Sequence, residues 1–283
     1  MSAPARTGEM TSTYAPPVPH VKTGGLTAVV SDSLLIAWRS LMGIPRSPDW
    51  LVAATIQPIM FTLLFRYIFA GAIQSSLPAG VSAVNYLIAG IIAQSVVFNT
   101  MATGIGLTED LQKGLMDRFR SLPMTRSSVI VGRVLSDVVL NAFVTTIGLL
   151  AGLAAGFRPN GGIVEWLQTI ALLVLTSMAF SWVMAFTGLS LKTVEAVNST
   201  GFLWVFPLTF VSSAFVPTAT LPGWLRVFAE NQPFTLLVNA CRGWLTGYPD
   251  VGNQGWLAAL WMIGVMAVFI PLSVWQYQRR TTQ

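Results

Sequence analysis

Charge is scarce in this sequence. Of 283 residues only 10% are Asp, Glu, Lys or Arg, against roughly 25% in an average soluble domain, which excludes a water-soluble globule. The one cysteine, Cys241, has no partner for an intrachain disulfide, and with the one histidine, His20, it is too little for a zinc centre. No metal site or redox pair is expected. The formal net charge is +5, yet no run of bases is long enough to track phosphates, so nucleic acid is not an expected partner. A G-x-x-x-x-G-K-[ST] phosphate loop is also missing, since none of Lys22, Lys113 and Lys192 follows a glycine. The chain is not expected to hydrolyse ATP by itself or to bind a cofactor.

What is abundant is apolar sequence, 53% of the chain, arranged in runs near the 20 or so residues that cross a hydrocarbon core of about 30 Å. The expected fold is an all-α integral membrane protein with six transmembrane helices. Residues 1–24, with Pro4, Pro16, Pro17 and Pro19 and no apolar stretch, read as a disordered cytoplasmic tail. Over 25–48, Leu26, Val30, Leu34, Ala37 and Leu41 share one helical face, which predicts an interfacial amphipathic helix and a linker broken by Gly43, Pro45 and Pro48. The remainder, 49–283, is the six-span domain, with crossings near 50–72, 84–107, 134–156, 163–191, 197–216 and 255–277. Between the last two, 217–254 is too long for a tight loop and too interrupted to span. Its apolar patches, 224–228 and 234–238, predict two short helices dipping into the outer leaflet as a re-entrant region.

Basic residues set the orientation. Arg6, Lys22, Arg39, Arg46, Lys113, Arg118, Arg120, Arg126, Arg133, Lys192, Arg279 and Arg280 fall on one side; Arg158, Arg226 and Arg242 fall on the other. With an even number of spans, both termini are cytoplasmic. Inside the spans, Arg66 has a stem long enough to snorkel to the outer interface beside Tyr67, and Arg133 and Asp137 are spaced to pair along one helix face. Gly148, Gly152 and Gly156 form a GxxxGxxxG ridge that fits packing within one subunit or between subunits. Gln94, Ser95, Asn99 and Thr100 fit either a cavity lining or a bond to a neighbouring helix.

The stretch from Thr108 to Arg126 is the most informative. Thr108 reads as an N-cap, Glu109 and Asp110 sit at the positive end of a helix dipole, Arg118 and Arg120 sit at its negative end, and Pro123 stops the helix. Leu111, Leu115, Phe119 and Leu122 form its apolar stripe, opposite Asp110, Lys113, Asp117 and Arg120. Gly114 in the middle costs about 1 kcal/mol relative to Ala, which points to a second backbone docking there. A solvated helix that only caps the bundle fits the same pattern.

Glu109, Gly114, Asp117-Arg118, Leu122-Pro123 and Gly132-Arg133 resemble the cytoplasmic coupling segment of type-2 ATP-binding-cassette (ABC) exporter permeases. A second block, Phe215-Val-Pro217, Leu221-Pro222-Gly223-Trp224-Leu225, Glu230-Asn231-Gln-Pro233, Arg242 and Gly247, resembles the outer re-entrant region of the daunorubicin-resistance type. Asp117 stands where Glu is expected, a change of length and not of charge. The resemblance implies a permease subunit in a bacterial cytoplasmic membrane, exporting hydrophobic drug-like or lipid-like molecules. Its partners would be a nucleotide-binding ATPase subunit, which holds ATP and Mg, and a second permease copy or a related permease.

By the same resemblance the coupling helix, 108–122, would sit in a groove of the ATPase through Glu109, Asp110, Gly114, Asp117, Arg118, Arg120 and Pro123. Spans two and five would line a cavity with Phe98, Asn99, Phe202, Trp204 and Phe206. The rival reading is an ion-gradient-driven secondary transporter, which tends to show two related halves and buried ionisable sites. Here only the later half carries a long outer insertion. A lipid-modifying membrane enzyme lacks any cluster of acids, histidines or an activated nucleophile.

Overall fold

The computed structural model describes residues 35, 48–113 and 126–282. The expected tail and all but one residue of the expected surface helix lie outside the described residues. Among the described residues the structure is helices and turns, with no strand. Helix α1 (Pro48–Leu64) passes through a π-helical turn (Phe65–Phe69) into α2 (Ala70–Gln74). Next come α3 (Ala83–Asn99) and α4 (Met101–Gln112), joined at Thr100, whose backbone stays helical at φ −65°, ψ −17°. Then follow α5 (Arg126–Ala154), α6 (Ile163–Ser190) and α7 (Val194–Phe210). A 3₁₀ turn (Thr218–Thr220) leads to α8 (Gly223–Asn231), α9 (Pro233–Thr246) and α10 (Gln254–Thr282).

Among the described residues five stretches are long and apolar enough to cross a membrane: Thr55–Gln74, Ala83–Gln112, Ile130–Ala154, Ile163–Ser190 and Gln254–Arg279. The crossing expected over 197–216 differs. Its helix, α7, holds 17 residues, about 25 Å at 1.5 Å per residue. Pro207 removes one amide donor near its end, and beyond Phe210 the backbone leaves helical geometry at Val211 (φ −87°, ψ 63°). A second correction concerns Thr108, which starts no helix and lies inside α4. Its hydroxyl is within hydrogen-bonding distance of the carbonyls of Gly104 (2.9 Å) and Gly188 (3.0 Å). Nothing between Thr100 and Gln112 breaks the chain, and a threonine can turn its hydroxyl back onto the preceding turn and stay helical.

Burial separates centre from surround. In their most apolar segments the α3–α4 stretch is 83% buried and α6 61%, whereas α1–α2, α5 and α10 are 28%, 33% and 17%. Helix α6 packs against α3, α4, α5, α7, α9 and α10, and the surrounding helices turn apolar side chains such as Met60, Phe143 and Trp261 outward. Small residues let the two central helices meet. A Cβ at Gly104 would lie 2.6 Å from the Met184 carbonyl oxygen, and one at Gly188 would collide with the Gly104 carbonyl.

Polar side chains stitch the same contacts. Thr103 bonds Ser181 at 3.2 Å, and the Asn141 amide of α5 donates to the Val96 carbonyl of α3 (3.0 Å) and to the Ser177 hydroxyl of α6 (2.9 Å). The α5 glycine ridge packs within the chain. A Cβ at Gly148 would touch Pro58 of α1 and one at Gly152 would press on Ile88 of α3, while Arg66 donates to the Ala155 carbonyl just past the end of α5 (2.9 Å).

Replacing Gly188 by Ala forces α4 and α6 apart, an overpacking that typically costs about 1–3 kcal/mol. Thermal unfolding in detergent is expected at a clearly lower Tm, whereas Gly264→Ala, with no atom near the added methyl, leaves Tm level or slightly raised.

Candidate functional site

The α3–α4 rod connects two polar clusters through an aromatic middle. At its Gln112 end, Glu109 and Lys113 pair at 2.9 Å on the exposed face, and that hydrogen bond holds the Lys113 amine above its ordinary pKa. One residue on, Asp110 faces α5. The Arg133 guanidinium lies 3.7 Å from Asp110 and 3.5 Å from Asp137, so one cation joins α4 to two turns of α5. The second contact lacks hydrogen-bond alignment, since neither Arg133 Nε nor the facing Asp137 oxygen has a bonded partner. Gly106 makes room for this cation, because a Cβ there would run into the guanidinium. Gln112 donates to the Lys192 carbonyl at 2.9 Å, tying the rod to the turn between α6 and α7.

The pairing of Arg133 with Asp137 expected from sequence is present, and Asp110 is its unforeseen third member. Glu109 and Asp110 are thus placed. Gly114, Asp117, Arg118, Arg120 and Pro123 lie outside the described residues.

In the middle, Phe98 and Phe202 meet edge to face with centroids 5.8 Å apart, and Asn99 stands beside them with a buried amide nitrogen that has no partner. Phe202 and Phe206 lie on one exposed face of α7, where Phe206 stacks on Phe210 at 4.1 Å. Trp204 stands on the other face, stacked on Phe180 of α6 at 5.7 Å. The structure therefore brings together Phe98 and Phe202, with Asn99 next to Phe98 along α3, and sets Trp204 apart. Gln94 reaches Thr209 of α7 at 3.5 Å and Ser95 bonds back to Ile91, so this polar group joins helices more than it lines a space.

At the Tyr86 end the rod meets the break after α7. Arg242 of α9 is 1% exposed, yet among the described residues it forms no ion pair with a carboxylate. Its guanidinium donates to the carbonyls of Tyr86 (3.0 Å), Ser213 (2.8 Å) and Ala214 (3.1 Å), and lies 3.5 Å from the centroid of the Tyr86 ring. The Tyr86 hydroxyl donates to the same Ser213 carbonyl at 2.9 Å, and the Ser213 hydroxyl to Asn239 at 2.7 Å. A Cβ at Gly90 would strike the Ala214 carbonyl, so the glycine admits the broken backbone against α3. Gln232 donates to the carbonyls of Leu208 (2.9 Å) and Val211, satisfying the last turn of α7.

The expected outer motif divides accordingly. Pro222 and Pro233 begin α8 and α9, Pro217 precedes the 3₁₀ turn, and Gly223 and Trp224 are exposed. Asn231 bonds only within α8, and the buried amide is its neighbour Gln232. Sequence reasoning missed Tyr86, Gly90, Ser213 and Asn239, and held Gln232 only as part of the outer block. A glycine inside the otherwise bulky apolar run of α3 was the one available signal.

Comparison with known proteins agrees over most of the chain. Residues 33–246 match the family model described as ABC-2 type transporter. The daunorubicin resistance ABC transporter permease protein DrrB1 of Streptomyces coeruleorubidus is 31% identical over 254 residues, 89% of this chain and 87% of that protein. The probable doxorubicin resistance ABC transporter permease protein DrrC of Mycobacterium tuberculosis is 27% identical over 257 residues, 89% and 90% of the two chains. A putative transport permease, ycf38, of Porphyra purpurea is 24% identical over 221 residues, 76% and 74% of the two chains.

Arg242→Lys keeps the charge but presents one nitrogen where the fork serves three carbonyls. Folded yield by fluorescence-detected size exclusion is expected to collapse. Tyr86→Phe, which removes one hydrogen bond worth about 1 kcal/mol, is expected to fold with a modestly lower Tm.

Proposed function

The chain belongs to the ABC-2 type transporter family, and from that membership we propose that it is the membrane-spanning permease subunit of an exporter. The cargo is hydrophobic, drug-like or lipid-like, and leaves across a bacterial cytoplasmic membrane. A separate ATPase subunit, holding ATP and Mg, supplies the energy. The observation that carries this reading is the 31% identity to a daunorubicin resistance permease over 89% of the chain; permease subunits of this kind are not themselves enzymes.

On this reading the α7 segment, extended by residues 211–216, completes a sixth crossing. Helices α8 and α9 are the outer re-entrant pair, and both termini face the cytoplasm as the distribution of bases requires. The segment around Glu109, Asp110, Gly114, Asp117, Arg118, Arg120 and Pro123 receives the ATPase. Its motion reaches the bilayer through α4, because Thr108 and Thr103 are locked to α6 and the rod is helical through Thr100. Two permease chains, identical or related, enclose the cargo path, with Phe98, Asn99 and Phe202 of each chain lining it. Apolar walls with one amide fit an amphipathic cargo.

Replacing Gly114 by Leu or Arg118 by Ala, in vesicles containing the partner ATPase, is expected to leave assembly intact. Export and stimulation of ATP hydrolysis are expected to fall together by about tenfold, within the range of ordinary coupling free energies. Unchanged transport would reject the segment as the transmission. Transport that persists without nucleotide and stops when the proton gradient is dissipated would put an ion-driven carrier in place of this reading.

A further inference from the structure

On the side of the proposed topology opposite the termini, two bases have no acid. Arg226 pairs with Glu230 at 2.7 Å, and Arg242 is spent on three carbonyls. Arg66 and Arg158 form no ion pair among the described residues, and both come to one place, the C-terminal end of α5. Arg66 Nε donates to the Ala155 carbonyl (2.9 Å), while Arg158 Nη1 donates to the carbonyls of Leu153 (3.0 Å) and Phe157 (2.9 Å).

Helix capping does not account for two guanidiniums here. Gly156, at φ +100°, closes the helix with backbone alone: the Phe157 N–H reaches the Gly152 carbonyl at 2.9 Å and the Gly156 N–H reaches that of Leu153 at 3.2 Å. The end of a helix carries about half a negative charge, and this one receives two positive ones, so an excess of roughly +1.5 remains. Among the described residues no hydrogen bond uses Arg66 Nη1 and Nη2 or Arg158 Nε and Nη2. The space over the turn is open, since a Cβ on Gly156 would meet, chain neighbours aside, only Arg66 Nε at 4.0 Å.

The depth is that of a lipid headgroup. Arg158 lies in the turn between the apolar stretches that end at Ala154 and start at Ile163. The Asn85 side chain, near the start of α3, accepts from the Arg158 N–H (2.9 Å) and donates to the Arg158 carbonyl (3.1 Å). Three spans therefore end at this level. Tyr67 beside Arg66 is exposed, as interfacial aromatics are, and so are Ile68 and Phe69. An occupant meets cations at the turn and apolar side chains next to them. Guanidinium forks match phosphate oxygens in geometry as well as charge.

We propose that Arg66 and Arg158 seat the phosphate of an anionic phospholipid where the π-helical turn, the start of α3 and the end of α5 meet. The site is separate from the Phe98–Asn99–Phe202 path and stands on this geometry whatever powers transport. The proposed topology puts it in the outer leaflet.

The test uses the full chain alone in phosphatidylcholine vesicles, without ATPase or nucleotide. Traces of phosphatidylglycerol carrying a diazirine on its headgroup are compared with a phosphatidylcholine bearing the same group. Photolabelling by the anionic lipid is expected to exceed that by the zwitterionic one and to concentrate in residues 66–69 and 154–159. Arg66→Gln and Arg158→Gln are each expected to lower it about tenfold, the effect of one hydrogen bond to a charged group. Arg226→Gln, which removes a cation already paired, is expected to leave it unchanged. Tm confirms folding, and Arg158, being exposed, tests the seat even where Arg66→Gln does not fold. Equal labelling by the two lipids, an equal loss in Arg226→Gln, or labelling indifferent to replacement of Arg158 overturns the proposal. So does displacement of the label by inorganic phosphate, which would make the occupant a soluble anion.

Discussion

Backbone that leaves the helix at bilayer depth has to find its hydrogen-bond partners within the protein, and Arg242 is how this chain meets that requirement. The stretch after α7 exposes carbonyls at Leu208, Val211, Ser213 and Ala214. Arg242 and Tyr86 take the last two, and Gln232 takes the first two. Burying a cation in this setting costs at least a few kcal/mol. Hydrogen bonds to a charged group return about 1.5–3 kcal/mol each, and the Tyr86 ring lies close enough for a cation–π contact. The arrangement is self-consistent only as a whole. Without Gly90 the Ala214 carbonyl has no room, and without Arg242 that carbonyl has no donor.

The same residue explains why the α3–α4 rod has a fixed end. Tyr86 lies near the start of α3, so the knot that heals the break also clamps the rod to α9 and to the chain following α7. From there the rod passes α6 at van der Waals distance through Gly104 and Gly188 and ends at Asp110 and Gln112. A single helical path thus joins the break after α7 to the point where the chain enters residues 114–125.

How much of this the sequence revealed depends on the range of the interaction. The long apolar runs of α1, α3, α6 and α10 were legible because twenty apolar residues have one low-energy outcome in lipid, and the Arg133–Asp137 pair because i,i+4 spacing is local. Helix α7 ends at Phe210, short of the expected Val216, where Pro207 removes an amide donor and the following backbone packs its Ala214 carbonyl against Gly90, a contact between residues far apart in sequence. Thr108 was misjudged because an N-cap and a hydroxyl folded back inside a helix use the same residue type. The Arg242 cluster was invisible as a cluster. Tyr86 and Arg242 are separated by 156 residues, and the atoms they share are backbone carbonyls, which carry no sequence signal.

The two ends of the rod differ in how they are held. At the Tyr86 end the bonds to Arg242 are aligned and short, 2.8–3.1 Å to three neutral carbonyls. At the other end Arg133 stands 3.5–3.7 Å from two carboxylates, the nearer pair unaligned. That cation is shared between one acid on α4 and one on α5. Displacement applied beyond Gln112 therefore enters a rod held at both ends, at the near one also by Thr108 and Gln112 on the Gly188 and Lys192 carbonyls and at the far one by Arg242 on the Tyr86 carbonyl. The intervening joint is Thr100, where α3 gives way to α4 and the neighbouring Asn99 amide is unbonded. Phe98 and Phe202 touch at that level, which places the joint beside the aromatic pair of the proposed cargo path.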